Sequence, residues 1–521
     1  MERLYKKLDE YGRKDYYPFH MPGHKRNPLS VDGNFPLDRD ITEIDGFDDL
    51  HHPEGIIRDA QESLARLYGT QKSFFSVNGS TAAILSAISA CVSQGGHILV
   101  ARNCHKSVYH GIYIRNLVPF YVYPQSDSEL GINGGISPSR VERCLEENSD
   151  IQAMFITSPT YDGVVSDVEK LAEIAHKYEI PLIVDEAHGA HFRFSKYFPR
   201  SAVDMGADIV IQSFHKTLPS MTQTAVLHVC SDRVDKNRIR RFMGIYQSSS
   251  PSYILMSSLD ACIDKLERDG IQMFKKFTEN LSETRMRLSQ CRYIRLMPSV
   301  GEESMFKGRV AAEQEMYDAA DGKWENVFDS SRPYDFDRSK LILTTNHSSL
   351  NGKELAGILR EEFHIEVEMT TENYVLALSS VGDTKEGFQR LIEAVESIDK
   401  REALKIEGSN GINTDKADPV KKNNKTDSVA AGKDCGKMKQ VMTISQAMDA
   451  PQLPCLLEES VGKISAEFVY LYPPGIPIIV PGEQITGQFT RNVRRYLEQG
   501  LNLQGLLDNK AGIVCVVKEQ G

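Results

Sequence analysis

The sequence has no uninterrupted apolar run near the roughly 18–20 residues that a membrane span requires, so no membrane partner is expected. Its N-terminus, MERLYKKLDEYGRKDYYPFH, lacks the apolar stretch of a secretory leader. Its nine cysteines are scattered and form no C-x-x-C, which argues against a disulfide framework or a zinc ribbon and fits a reducing cytoplasm. Positive charge is in deficit: 61 basic against 72 acidic side chains give a net charge of −11. The one short basic stretch, VKKNNK at 420–425, sits in a polar tract, so no nucleic-acid partner is expected. No repeat with a period of 20–50 residues is present, which argues against a solenoid.

What is present is a chain of 521 residues, too long for one compact core and suited to roughly two to four domains. From about residue 60 to 230, helical patterns such as GIIRDAQESLARLYG and EKLAEIAHKYEI alternate with short apolar strands, among them SFFSV, HILVA, MFIT, LIVD and DIVIQSF. That rhythm indicates βαβ units and a mostly parallel sheet with helices on both faces. The pattern divides the chain into an N-terminal segment (1–60), a large α/β domain (61–290), a smaller α/β domain (291–400) and a C-terminal α+β domain (443–521). Between the last two, residues 401–442 contain no aromatic residue and are rich in Lys, Asp, Asn and Gly, so a flexible linker is expected.

The stretch IVIQSFHKTLPS raises a chemical question, because Lys216 stands at the mouth of an apolar strand. Most lysines in such a place are surface groups. The functional alternative is a lysine tuned by desolvation to form a Schiff base. Upstream, IPLIVDEAHGAH ends another apolar strand in Asp185, followed by His188 and His191. In parallel sheets ligands bind outside the carboxyl ends of strands, so Asp185 and Lys216 can meet at one rim. Pyridoxal phosphate needs that pair: a lysine for its aldehyde and an acid for its pyridinium nitrogen. A metal held by Asp185, His188 and His191 is the other reading, although the strand-then-turn context is not the helical H-E-x-x-H pattern. The turn Asn78-Gly79-Ser80-Thr81 opens a helix whose free N–H groups can hold a phosphate, or it is an ordinary cap. In NCHKS, His105 can stack on a cofactor ring and Ser107 or Lys106 can face a phosphate; a surface loop is the alternative.

These stretches, in this order, resemble the ornithine/lysine/arginine decarboxylase family of fold type I (aminotransferase-like) pyridoxal-phosphate enzymes. The resemblance also rests on PFHMPGHK (18–25), DITEIDGFDDLHHPEG (40–55), SPTYDGVVSD (158–167) and YPPGIPIIVPGE (472–483). It implies that Lys216 carries the cofactor, that Asp185 pairs with the ring nitrogen, that His105 stacks on the ring and that His188 lies close by. Gly79, Ser80, Thr81, Ser213 and His215 would surround the phosphate. The implied reaction is α-decarboxylation of a basic amino acid, with a slight lean to arginine, in which Lys216 or His188 returns a proton to Cα. Glu483 is the implied partner of the substrate's cationic end, and the run Glu43, Asp45, Asp48, Asp49 is the alternative. MPGHK begins at residue 21, which leaves no room for the N-terminal wing of the long members. A homodimer or higher homo-oligomer is therefore expected rather than a large ring. An aminotransferase or aldolase of the same fold, or a non-catalytic regulatory homologue, would share much of this logic.

Overall fold

The computed structural model describes residues 2–125, 132–300, 335–410 and 438–518, together with the backbone of two short strands, Met316–Asp318 and Lys323–Glu325. The apolar runs form β1 (Lys72–Ser76), β2 (His97–Ala101), β3 (Val118–Val122), β4 (Ile151–Thr157), β5 (Val164–Val165), β6 (Leu182–Asp185), β7 (Ile209–Gln212) and β8 (Ala225–Val229). Seven of them make one sheet in the order β1-β8-β7-β6-β4-β2-β3. Pairing is parallel from β7 through β3, while β8 runs antiparallel to both of its neighbours. The large domain is thus the expected α/β unit with a mostly parallel sheet. All four residues of β6 and of β7 are buried, as strands covered on both faces must be.

Helices follow the strands: α1 (Leu4–Gly12), α2 (Ile56–Tyr68), α3 (Gly79–Cys91), α4 (Lys106–Ile114), α5 (Pro138–Glu147), α6 (Val168–Lys177), the single turn α7 (Phe214–Thr217) and α8 (Lys236–Tyr246). A helix of 36 residues, α9 (Tyr253–Leu288), stands outside the alternation and leads to the second domain. Arg3 ties the N-terminus to it through Asp260 and Asp264, each at 3.1 Å, and through Glu267.

The smaller domain is built on a four-stranded sheet in the order 369–370, 374–378, 340–344, 295–297, antiparallel at every pairing and backed by α10 (Gly352–Phe363) and α11 (Lys385–Asn410). Helix α11 continues to residue 410. The expected linker therefore does not begin at 401; residues 411–437 of that tract lie outside the described residues. Residues 438–518 close a core of their own around Ile479, Phe489, Val493 and Val514. Among the described residues no helix is long and apolar enough to cross a membrane.

Candidate active site

Strand β6 delivers Asp185 to its carboxyl end, paired in register with Thr157 of β4 and Ile211 of β7. Strand β7 ends one residue later, and the chain turns through Ser213 into α7, which carries His215 and Lys216. An acid and an amine thus reach the same rim because two parallel neighbours end together. Asp185 is buried and accepts one hydrogen bond, from the Ala187 N–H at 3.1 Å. Burial pushes its pKa up, while the Lys216 charge pulls it down. Lys216 is shifted the other way: desolvation lowers its pKa, and Asp185 opposes the fall. A lysine that loses its proton more readily than usual is suited to attack on an aldehyde.

His188 bridges two lysines. Its Nε2 lies 3.0 Å from Lys216 Nζ and its Nδ1 lies 3.0 Å from Lys340 Nζ. Burial, then the charges of Lys216 and Lys340, hold its pKa well below the ordinary histidine value, so the ring is neutral. The Tyr161 ring meets it edge-on with centroids 4.7 Å apart, and the Tyr161 hydroxyl donates to Glu368. The three residues of the metal reading part company here: His188 faces amines, His191 bonds Asp337 Oδ1 at 3.1 Å, and Asp185 takes the Ala187 N–H.

The opposite wall comes from α3 and α4. Gly79 has φ +71°, a left-handed conformation that favours glycine, and its N–H donates to Gln223 O at 2.9 Å. Asn78 makes no side-chain cap, so beyond the Gly79 N–H the first turn of α3 is not capped by that side chain. Ser80 Oγ is hydrogen-bonded to Ser213 Oγ, which joins the helix start to the segment before Lys216. Thr81 is exposed on the same first turn. His215 Nδ1 is committed to Thr224 O at 2.8 Å. His105 caps α4, with Nδ1 2.8 Å from Ser107 Oγ, and desolvation followed by the Lys216 charge lowers its pKa to about 3. Lys106 instead turns to Tyr470, its Nζ 3.0 Å from the hydroxyl.

Glu483 is the residue that the structure moves to another task. It is 1% exposed, and Arg102 Nη2 and Nε lie 3.1 and 3.3 Å from its two oxygens. The Val480 N–H also donates to it at 2.9 Å. Buried and paired with Arg102, Glu483 is not presented to solvent where a cationic substrate would approach. The ion pair instead fastens the C-terminal domain to the loop that carries His105. Gly475 continues that seam, accepting the Lys106 N–H at 3.1 Å and lying against the His105 ring. Of the alternative acids, Asp48 caps α2 through the N–H groups of Gly55 and Ile57, both at 2.9 Å.

Lys340, Glu368 and Arg102 join these residues without having been singled out by their sequence, and Tyr161 lies within SPTYDGVVSD without having been assigned a role. Lys340 had a signal of the same kind as Lys216: DRSKLILTT also sets a lysine at the mouth of an apolar strand.

A desolvated lysine beside a buried acid, a neutral histidine opposite and a hydroxyl-rich helix start are the parts of a pyridoxal-phosphate enzyme of fold type I. The fit shows in two buried polar atoms without a partner among the described residues, Thr217 Oγ1, next in sequence to Lys216, and Asn103 Oδ1, two positions before His105. Residues 2–387 match the family described as the Orn/Lys/Arg decarboxylase major domain, and residues 435–505 match the corresponding C-terminal domain. The chain belongs to that family, and its cofactor is pyridoxal phosphate. It is similar to the arginine decarboxylase of Bacillus subtilis, 32% identical over 99% of this chain and 98% of that protein. The arginine decarboxylase of Bacillus anthracis is 30% identical over 99% and 97%. Among solved structures, the lysine decarboxylase of Francisella novicida superposes with a TM-score of 0.78 over 99% of this chain and 81% of that one, at 19% identity. The constitutive lysine decarboxylase of Escherichia coli gives 0.77 over 99% and 82%, at 20% identity. Both show the shared fold.

Proposed function

We propose that this decarboxylase acts on arginine in first place among the basic amino acids, releasing CO2 and leaving the amine agmatine. The observation that carries the site is desolvated Lys216, 3.0 Å from the neutral His188 ring and within reach of the Asp185 charge, in the turn that follows β7. The lean to arginine is supported by near-complete coverage of arginine decarboxylases at 30–32% identity. When bound, the cofactor supplies a protonated pyridine ring that accepts the electron pair of the breaking Cα–carboxylate bond.

The chain's own residues do the rest. Lys216 would hold the cofactor through its amine. Asp185, buried, would keep the ring nitrogen protonated. Ser80, Ser213 and the α3 N–H groups would hold the phosphate together with Thr81 and His215, and His105 would pack on the ring as a neutral imidazole. His188, neutral and 3.0 Å from Lys216, moves the proton that finally reaches Cα through the Lys216 amine. For the substrate's distal cation the candidate acid is Glu368, exposed, bonded by the Tyr161 hydroxyl and close enough for its charge to act on Lys216.

The working unit is read as a homodimer in the cytoplasm. Tyr17, Phe19 and Leu29 are 72, 91 and 93% exposed on one N-terminal arm, a surface suited to cover by a second copy. All eight cysteines among the described residues are free, as suits a reducing compartment. The test is CO2 release from arginine, lysine and ornithine by the purified holoenzyme. Arginine should give the highest kcat/KM. Preference for lysine or ornithine would refute the substrate assignment, and an amino group transferred without CO2 would refute the reaction.

A further inference from the structure

Lys340 is a cation without an assigned task. It opens the apolar strand 340–344 of the smaller domain and is 1% exposed, yet its amine reaches into the site of the large domain. Burying an ammonium is costly unless partners compensate. Asp337 stands nearby, but its Oδ1 bonds His191 and its Oδ2 takes the Ser339 hydroxyl at 2.8 Å. Asp162 accepts the Tyr374 hydroxyl at 2.7 Å. The hydrogen bond of Lys340 Nζ among the described residues goes to His188 Nδ1, at 3.0 Å. Three nitrogen-bearing groups therefore stand in line: the Lys340 amine, the His188 ring and the Lys216 amine.

An ammonium can only donate, so with Lys340 charged and Lys216 a free amine His188 Nδ1 accepts from Lys340. A neutral imidazole that accepts at Nδ1 carries its proton on Nε2, the nitrogen facing Lys216. We propose that Lys340 is a positioning residue of the decarboxylation: it fixes His188 as the Nε2–H tautomer and restores the proton that His188 passes on. The step balances. The Nε2–H bond breaks as a proton moves to the free Lys216 amine, while Nδ1 takes a proton from the Lys340 ammonium. His188 ends neutral in the other tautomer, and one positive charge has moved from Lys340 to Lys216. Desolvation lowers the Lys340 pKa to about 8, with Lys216 acting in the same direction and Asp337, Glu368 and Asp162 opposing. Its proton is thus held at neutral pH yet leaves more readily than that of a surface lysine. His188 and the His191–Asp337 pair complete the groups that face it.

The test compares wild type with Lys340→Met, which keeps the volume, and Lys340→Gln, whose amide N–H still donates. Ring-15N histidine spectra, with His188→Asn identifying the signal, should show protonated Nε2 and bare Nδ1 in wild type and in Lys340→Gln. In Lys340→Met that pattern should be lost. In the loaded enzyme, both variants should lose turnover on the order of 100-fold with KM little changed, and should lack the basic limb expected of wild type near pH 8. An unchanged His188 spectrum in Lys340→Met overturns the proposal, as does a protonated Nδ1 in wild type. If Lys340→Met fails to fold, Lys340→Gln decides: an unaltered pH profile overturns it and a lost basic limb supports it. The inference rests on the decarboxylase reading for its kinetics only. Absence of CO2 release with the expected tautomer would count against that reading and leave the tautomer assignment standing.

Discussion

Replacing Glu483 with glutamine separates two roles for one carboxylate. The residue is 1% exposed and Arg102 is 7% exposed, so the pair is screened from water. Removing one partner of a buried ion pair costs about 3–5 kcal/mol, because the other charge is left uncompensated. Two things soften the loss here. The glutamine oxygen can still accept from Arg102, and the guanidinium keeps Pro477 O at 2.7 Å and Ile478 O at 3.3 Å. The lower end, about 3 kcal/mol, is therefore expected. Since ~1.4 kcal/mol is a factor of ten, opening of the C-terminal domain should become on the order of 100-fold more frequent. Amide hydrogen exchange along the strand Ile476–Ile479, followed by mass spectrometry, reads this directly. The double variant Arg102→Met/Glu483→Met should exchange more slowly than Glu483→Gln, because neither charge is then buried alone. If exchange in Glu483→Gln is unchanged and KM for arginine rises about tenfold, worth ~1.4 kcal/mol of binding, the reasoning fails. Glu483 would then return to the substrate.

Three further outcomes can be checked. Asp185→Asn keeps shape but not charge at the ring nitrogen, so turnover should fall on the order of a thousandfold with cofactor still bound; near-normal turnover would contradict the role. Gly475→Ala places a methyl group 3.3 Å from the His105 ring at a backbone φ of +80°. With about 1–2 kcal/mol of backbone strain added, cofactor affinity should weaken on the order of tenfold, and an unshifted absorbance titration would refute the contact. Glu186 is buried among Ser201, Ala202 and Gln212, and desolvation outweighs those three donors to raise its pKa to about 7. A carboxyl raised on folding favours the native state below its unfolded pKa, and that advantage is lost as pH rises through the folded value. Between roughly pH 4.5 and 7 wild type should lose about 3 kcal/mol relative to Glu186→Gln, and parallel melting curves would count against this.

The sequence by itself determined the elements whose causes are local. LIVD and IVIQ are too apolar and β-branched for anything but buried strands, and alternation with helical patterns leaves parallel pairing as the economical arrangement. Asp185 was legible because it ends such a strand with a charge, and Lys216 because it lies just beyond the end of the parallel neighbour, in the turn α7 rather than on the strand itself. Gly79 was legible because a turn into a helix start asks for its conformation. Tertiary structure decided which partner each charge takes. Arg102 and Glu483 stand 381 positions apart, and Lys340 and His188 stand 152 apart. No spacing rule reaches across such distances, since each pairing depends on how one domain docks on another. A motif can announce that an acid is present at residue 483; only packing shows that its two oxygens are already taken by Arg102, while a lysine from another sheet completes the site at His188.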